Sequence, residues 1–313
     1  MEATTVQRAP VLPELLRAGL IGALLVLALV AWTLTDERMG GMDAGPGTAL
    51  GTLGFFVGVW VVMMAAMMFP SIWPMVLVYR RIQIGKREQG RERTAGATAV
   101  FVAGYLLTWT GAGVLSYALF EAARSLEIGA LSWSEAGPYV AGGVIVAAAA
   151  YQLTPLKDAC LTKCRDPFSF ILAEYRPGRA GALRMGVRHG AWCVGCCWAL
   201  MAALFALGVM SLGWMALIAA LIATEKLLAW KALANRGIAV LLLALGLAVA
   251  FAPEDVPGLT VPGSSEAMGA MEAMGMEKST PPAMKMEEDA SPTMRMKESP
   301  APAMGAKERG SSP

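Results

Sequence analysis

The residues best suited to chemistry lie close together in residues 185–201, MGVRHGAWCVGCCWALM. If this segment is a helix, every fourth residue shares one face, and residues three apart are also neighbours. That face then carries thioether, imidazole and thiol groups: Met185, His189, Cys193, Cys197 and Met201, with Cys196 beside them. Soft metal ions prefer these side chains. The stripe therefore predicts a metal site, and the alternative is that cysteine and methionine only fill space in a helix bundle.

A second pair of cysteines, Cys160 and Cys164, is spaced i, i+4 in the segment KDACLTKCRDP. On a helix these two thiols face the same way. The chain has 5 cysteines, an odd number, and their tight clustering favours metal or redox chemistry over a disulfide framework. We expect the two cysteine sets at similar depth, where they either share one ion or bind two.

The composition predicts an integral membrane protein. Of 313 residues, 56% are apolar and only 16% are charged, against roughly a quarter charged in soluble domains, and the mean hydropathy is +0.52. Long apolar runs predict seven spans, at about residues 11–34, 50–78, 95–122, 138–153, 187–210, 214–230 and 238–252. The last run is short for a bilayer core of ~30 Å, so six spans is the alternative. The predicted fold is an all-α, polytopic transmembrane helix bundle in residues 1–252.

The basic residues predict how this bundle lies in the membrane. They occur in four segments: Arg8 with Arg17; residues 79–94; residues 154–184; and Lys226, Lys231 and Arg236. With seven spans, all four segments fall on one side, which the positive-inside rule identifies as the cytoplasm. The N-terminus is then cytoplasmic and the C-terminus extracytoplasmic. The net charge of +2 is spread over these loops and does not indicate a nucleic-acid partner.

Residues 253–313 form a second region, predicted to be a disordered tail because they are rich in Pro, Ala, Glu and Lys and contain no aromatic residue. A ten-residue repeat in this region places methionines in M-x-M pairs: Met274 and Met276, Met284 and Met286, Met294 and Met296. Thioethers bind soft metals even in oxidising compartments, where thiols form disulfides. The tail is therefore predicted to collect metal, and the alternative is a low-complexity spacer.

The second span contains another methionine-rich run, MMAAMMFPSIWP. Its thioethers include Met64, Met67 and Met68, and Met64 and Met68 are i, i+4. Pro70 and Pro74 each remove a backbone donor, and the carbonyls that they free must be satisfied inside protein or by water. A kinked helix lined with sulfur predicts a route for a soft cation. The simpler interpretation is that these methionines fill gaps around the kink.

Glu225 and Lys226 are ionisable residues within the sixth predicted span, which makes them functional candidates. Glu225 would balance the charge of a bound cation. The alternative is that Lys226 extends to the membrane interface with Glu225 as its partner.

Among metal ions, Cu(I) suits this ligand set best, because it is soft and accepts few sulfur or nitrogen ligands. Zn(II) is the second candidate, since it binds cysteine and histidine but has little use for methionine. The sequence contains no G-x-x-x-x-G-K-[ST] loop. We therefore expect no enzymatic activity, and any transport would be passive or ion-coupled.

Five segments resemble a bacterial family of predicted metal-binding integral membrane proteins, catalogued as a domain of unknown function. They are MAAMMFPS at 64–71, FVAGYLLTW at 101–109, YQLTPLKDACLTKCRDP at 151–167, RMGVRHGAWCVGCCWALM at 184–201 and ATEKL at 223–227. The resemblance implies membrane topology, in the inner (cytoplasmic) membrane of a bacterium, and metal binding. It supplies no substrate. The methionine-rich tail looks like an addition to the family pattern.

These patterns support three hypotheses. In the first, the protein binds Cu(I) in the bilayer and acts in copper transport, delivery or homeostasis, with a copper chaperone or an apo-cuproenzyme as its partner. In the second, the C-x-x-C of Cys193 and Cys196 serves a membrane thiol–disulfide oxidoreductase. In the third, the protein is a structural membrane subunit whose cysteines only pack.

Overall fold

The computed structural model describes residues 14–88, 96–125, 133–228 and 230–273, and within these ranges its regular structure is entirely helical. The α-helices are α1 Glu14–Met39, α2 Leu53–Glu88, α3 Ala97–Ser125, α4 Gly137–Tyr151, α5 Pro155–Arg165, α6 Pro167–Glu174, α7 Gly178–Leu207, α8 Leu212–Leu227, α9 Lys231–Phe251 and α10 Ser265–Ala273. The predicted all-α class is confirmed for this part of the chain.

Five of the described helices are long and apolar enough to cross a membrane: α1, α2, α3, α7 and α9. The pair α4 and α5, bent by 67° at its break, passes the same test as one broken span and would make six. Helix α9 contains all but the final residue of the last predicted run, 238–252, but begins seven residues earlier and has 21 residues. This segment is therefore longer than the sequence predicted. Helix α8 has only 16 residues, which is short for a hydrocarbon core of ~30 Å at 1.5 Å per residue.

The basic segment 154–184 folds into two short helices and the first turns of α7. Thr154 caps α5 by accepting a hydrogen bond from the backbone N–H of Lys157, and Pro155 occupies the first turn. Asp166 caps α6 by accepting from the Ser169 backbone N–H, and Pro167 follows it. A capping side chain followed by proline is a strong helix start. The two starts turn the chain sharply and allow α5 to lie against the middle of α7.

Helices α3 and α7 run side by side because glycines remove the side chains at their crossing. A Cβ on Gly186 would collide with the carbonyl oxygen of Phe101, and one on Gly104 with the carbonyl oxygen of Leu183. Small residues at a crossing let two backbones approach closely. The close approach brings Tyr105 of α3 to the cysteines of α7.

One end of the bundle is formed by the α1–α2 loop and the residues that follow α9. The Thr260 hydroxyl donates a hydrogen bond to the Asp43 carboxylate, 3.2 Å away. Ala44, Ala267 and Ala270 bury one another in a small cluster. Residues 253–273 were predicted to belong to the disordered tail, but they pack here because Val256, Leu259 and the alanines of α10 bury apolar surface. The rest of the predicted tail, 274–313, lies outside the described residues.

Replacing Gly186 by alanine is expected to lower thermal stability, because the new Cβ meets a backbone carbonyl oxygen rather than a movable side chain. The expected cost is about 1–3 kcal/mol, the usual range for overpacking, measured as a lower melting temperature of the detergent-solubilised protein. Gly111→Ala, on the partner helix α3, is the matched control, since nothing lies within 4 Å of its added Cβ. Equal melting temperatures for Gly186→Ala and Gly111→Ala would contradict the close approach of α3 and α7.

Candidate metal centre

Three thiols of α7 converge in the interior of the bundle. The Sγ atoms of Cys193, Cys196 and Cys197 all lie within 4.8 Å of one another, and none of the three residues is exposed. The i, i+3, i+4 spacing places them on one helical face. Cys196 and Cys197 both donate hydrogen bonds from Sγ to the Cys193 carbonyl, at 3.1 and 2.9 Å. Three soft ligand atoms on a rigid helix can hold one metal ion.

A fourth thiol reaches this cluster from α5. The Sγ of Cys164 lies 3.8 Å from the Sγ of Cys196, and Cys164 is half-buried where the three α7 cysteines are fully buried. The other cysteine of α5, Cys160, lies against Gly195, where an added Cβ would come within 2.8 Å of its Sγ. The two cysteine sets therefore meet through Cys164, which supports a shared ion. All five cysteines are free thiols.

A buried ammonium group touches the cluster. Lys226, in the last turn of α8, donates a hydrogen bond to Cys193 Sγ at 3.0 Å. The same Nζ lies 3.4 Å from Ser71 Oγ and 3.8 Å from Met68 Sδ, both on α2. The idea that Lys226 extends to the membrane interface with Glu225 as its partner is wrong, because its side chain points inward and is only 8% exposed.

Glu225 pairs with another lysine, Lys157 of α5. Their side chains form a salt bridge of 2.8 Å and are 0% and 1% exposed. Lys157 also donates to the Cys196 carbonyl at 2.9 Å. One ammonium therefore joins α5, α7 and α8 directly beside the thiols. Glu225 lies next to the cluster as expected, but its charge is already balanced by Lys157.

Lys157 and Tyr105 are site residues that the sequence interpretation missed. The hydroxyl of Tyr105 lies 3.1 Å from Cys193 Sγ. Lys157 could have been predicted from the sequence, because it precedes Cys160 by three residues and Cys164 by seven and thus shares their helical face. Tyr105 had only its place in a family-like segment, since the sequence does not show which helix packs against α7.

His189 lies one turn before Cys193 but is surrounded by aromatic rings. Its ring centroid is 5.7 Å from that of Tyr105, 6.1 Å from Phe101 and 5.4 Å from Phe170. Within the described residues, the ligand atoms that lie within 4.8 Å of one another belong to the three cysteines of α7, and His189 is not among them. Its Nδ1 is buried and has no hydrogen-bond partner among those residues. A role for His189 as a ligand stays a prediction.

The predicted methionine ligands that fall within the described chain are all buried. Met64, Met67 and Met68 of α2 are at most 1% exposed, and Met185 and Met201 of α7 are at most 4% exposed. The structure brings Met68 to the site through Lys226. The ligands predicted in the tail, Met274, Met276, Met284, Met286, Met294 and Met296, lie outside the described residues.

Helix α2 continues through both of its internal prolines, Pro70 and Pro74. Ser71 Oγ donates to the Met68 carbonyl at 2.8 Å, whereas the carbonyls that Pro70 and Pro74 leave without a backbone donor are those of Ala66 and Pro70. Met68 itself is fully buried at this level of α2.

The fold and the site define a class, an α-helical protein with apolar helices of membrane-spanning length and a buried cysteine cluster able to hold a metal ion. The chain belongs to the PpoB2 copper chaperone family, whose model matches residues 57–249. That match runs from α2 to α9 and includes all five cysteines, Lys157, Glu225 and Lys226. No curated protein and no solved structure matches the chain. The predicted connection with copper is confirmed at the level of the family.

Removing one partner of the Lys157–Glu225 pair is expected to be more costly than removing both. Lys157→Met leaves a buried carboxylate without its cation, at a cost of about 3–5 kcal/mol. The double variant Lys157→Met/Glu225→Leu removes both charges, and most of that loss is expected to be recovered. Thermal unfolding in detergent measures both.

The control for these variants is the half-exposed pair Arg188–Glu174, with side chains 45% and 21% exposed. Arg188→Ala is expected to cost at most about 1 kcal/mol, since water screens the pair. A double variant no more stable than Lys157→Met would contradict the assignment of a buried, mutually compensated pair.

Proposed function

We propose that this protein binds Cu(I) within the membrane at Cys193, Cys196 and Cys197 and hands it on in copper transport, delivery or homeostasis. The observation that carries the proposal is the mutual approach of three buried Sγ atoms within 4.8 Å. A fourth, Cys164, lies close enough to join or replace one of them as the ion arrives or leaves. Membership of a copper chaperone family supports the choice of metal.

Charge balance at the site is compatible with Cu(I). A buried site is most stable when its charges cancel. Lys157 and Glu225 already neutralise each other at 2.8 Å. A Cu(I) ion with two thiolates carries one negative charge, which the Lys226 ammonium beside Cys193 would cancel. Zn(II) with all three thiolates would carry the same single negative charge, so the choice of Cu(I) rests on the copper chaperone family and not on charge.

The proposed location is the inner membrane of a bacterium, with the N-terminus in the cytoplasm and the tail outside. The α1–α2 loop and residues 253–273 contact each other at one end of the bundle. At the opposite end, Phe101 near the start of α3 lies against Gly186 of α7. Arg80 and Arg81 late in α2 and Arg179 and Arg184 in the first turns of α7 therefore lie toward the same end. By the positive-inside rule, this supports the proposal that this end faces the cytoplasm.

The role proposed here is binding and delivery, without catalysis. The recipient would be an apo-cuproenzyme or a second copper chaperone. A thiol–disulfide oxidoreductase is the second candidate, because Cys164 and Cys196 are separated by 3.8 Å, and a modest movement would bring their sulfurs to the disulfide bond length of about 2.05 Å. Metal binding and thiol exchange are measured on the same cysteine variants, so one set of proteins separates the two functions.

The purified, reduced protein is expected to compete with a Cu(I) chelator, and Cys193→Ser/Cys196→Ser/Cys197→Ser is expected to lose more than about 100-fold in affinity. Removing outer partners of a metal ligand already costs about 10–100-fold, so removing the ligands themselves costs more. Cys164→Ser should weaken binding more than Cys160→Ser, because the Sγ of Cys164 lies 3.8 Å from that of Cys196, whereas Cys160 lies against Gly195. Equal chelator competition by the intact protein and the triple variant would overturn the proposal.

Deleting residues 274–313 is expected to remove a weaker class of Cu(I) sites and leave the tight, cysteine-dependent one. Thioethers hold Cu(I) less strongly than thiolates, and three M-x-M pairs lie in this segment. The deletion keeps residues 253–273, which pack on the α1–α2 loop. Isothermal titration with Cu(I) measures the number of sites. An unchanged number of weak sites after deletion would rule out metal collection by the tail.

A further inference from the structure

Side chains of α2 and α7 together surround one position in the core that holds a positive charge, and the Nζ atom of Lys226 occupies it. Its Nζ lies 3.0 Å from Cys193 Sγ of α7 and 3.8 Å from Met68 Sδ of α2. Ser71 Oγ completes the surroundings at 3.4 Å. All four side chains are buried, with Met68 and Cys193 at 0% exposure. A thiol and a thioether thus point at the same positively charged atom from opposite helices.

The groups around Nζ are those that a soft monovalent cation would take. Thioether and thiol sulfurs are poor hydrogen-bond acceptors but good ligands for soft metals. Cu(I) and an ammonium group each carry one positive charge, and two such charges cannot occupy one buried point together. A copper ion bound between Met68 and Cys193 therefore requires that Lys226 move away.

We propose that Met68 Sδ and Cys193 Sγ form a transfer site for Cu(I), and that Lys226 is its gate residue, occupying the site until copper displaces the ammonium. This proposal rests on the proposed function. Copper held by Met64 and Met67, the other predicted ligands of α2, would pass through this site to the cysteine cluster. Thiolate binds Cu(I) more strongly than thioether, so the transfer runs toward Cys193, Cys196 and Cys197.

The position of Lys226 in the fold permits this displacement. It lies in the last turn of α8, which ends at Leu227. The neighbours that follow it, Leu227 and Leu228, are 45% and 46% exposed. The side chain can leave the cluster toward this open end without breaking the hydrogen bonds of a helix interior. Lys157 is not free in the same way, because Glu225 and the Cys196 carbonyl hold it.

The test is the rate at which Cu(I) supplied as a chelator complex loads the full-length protein in detergent at constant pH. Lys226→Met shortens the side chain by one atom, removes the charge and adds a thioether, and it is expected to load at least about tenfold faster. Lys226→Arg keeps the charge and is expected to load no faster than the natural protein. Met68→Leu is expected to load at least about tenfold more slowly, with the same final copper content.

Met75→Leu is the matched control for Met68→Leu. Met75 lies on the same helix and is equally buried, at 1% exposure, and it is expected to load at the natural rate. Met68→Leu preserves volume and hydrophobicity, so the proposal can be tested even if a Lys226 variant does not fold.

Two results would overturn the transfer site, and they differ from failure of the proposed function. In the first, Lys226→Met loads no faster than the natural protein, which makes Lys226 a fixed counter-ion of the thiolates. In the second, Met68→Leu and Met75→Leu load alike, which removes the thioether from the path. If the natural protein shows no cysteine-dependent Cu(I) binding, the proposed function fails and the transfer site fails with it.

Discussion

The structure depends on keeping two ammonium groups in an apolar interior. A buried charge is tolerated only when it is paired and hydrogen-bonded, and Lys157 and Lys226 find their partners on different helices. Lys157 requires Glu225 of α8 and a carbonyl of α7. Lys226 requires Cys193 of α7 and Ser71 of α2. The two lysines therefore hold α2, α5, α7 and α8 in register at the level of the thiols.

The interrupted helices follow from the same requirement. Helix α4 ends at Tyr151, whose hydroxyl donates to the Gly195 carbonyl at 2.6 Å, and α5 then turns across α7. Helix α8 stops at Leu227, immediately after its two charged residues. Helix ends inside the hydrocarbon core of a membrane are tolerated only where protein or a wet cavity surrounds them. Here they surround the cluster and supply its charged groups, and the long helices α2, α3 and α7 form the frame.

Much of this arrangement could be predicted from the sequence. The cysteines at i, i+3 and i+4 share a face of α7 because helical geometry requires it, and the apolar runs predicted most of the long helices. For Cys164 and Cys196, the sequence predicted only that the two cysteine sets lie at similar depth, not that these two thiols are in contact. The interpretation that paired Glu225 with Lys226 was wrong, because neighbouring residues on a helix point in different directions. The partner of Glu225 is Lys157, which lies 68 positions away in sequence. Such a pairing depends on how α5 packs, which the local pattern does not contain.

The end of the bundle was also only partly predictable. The composition of residues 253–273 predicted that they belong to the disordered tail. In the structure a few buried residues, among them Val256 and Ala267, pack this segment against the bundle. His189 shows the opposite case, since a histidine spaced correctly for metal binding is surrounded by Tyr105, Phe101 and Phe170. Spacing identifies residues that share a face, whereas packing decides which of them touch.

The central claim is that copper binds to the buried thiols of α7, and copper K-edge X-ray absorption of the Cu(I)-loaded protein tests it most directly. We expect a Cu(I) edge and a first shell of two or three sulfur atoms, preserved when residues 274–313 are removed. A first shell dominated by nitrogen or oxygen, or sulfur that disappears with those residues, would contradict the account.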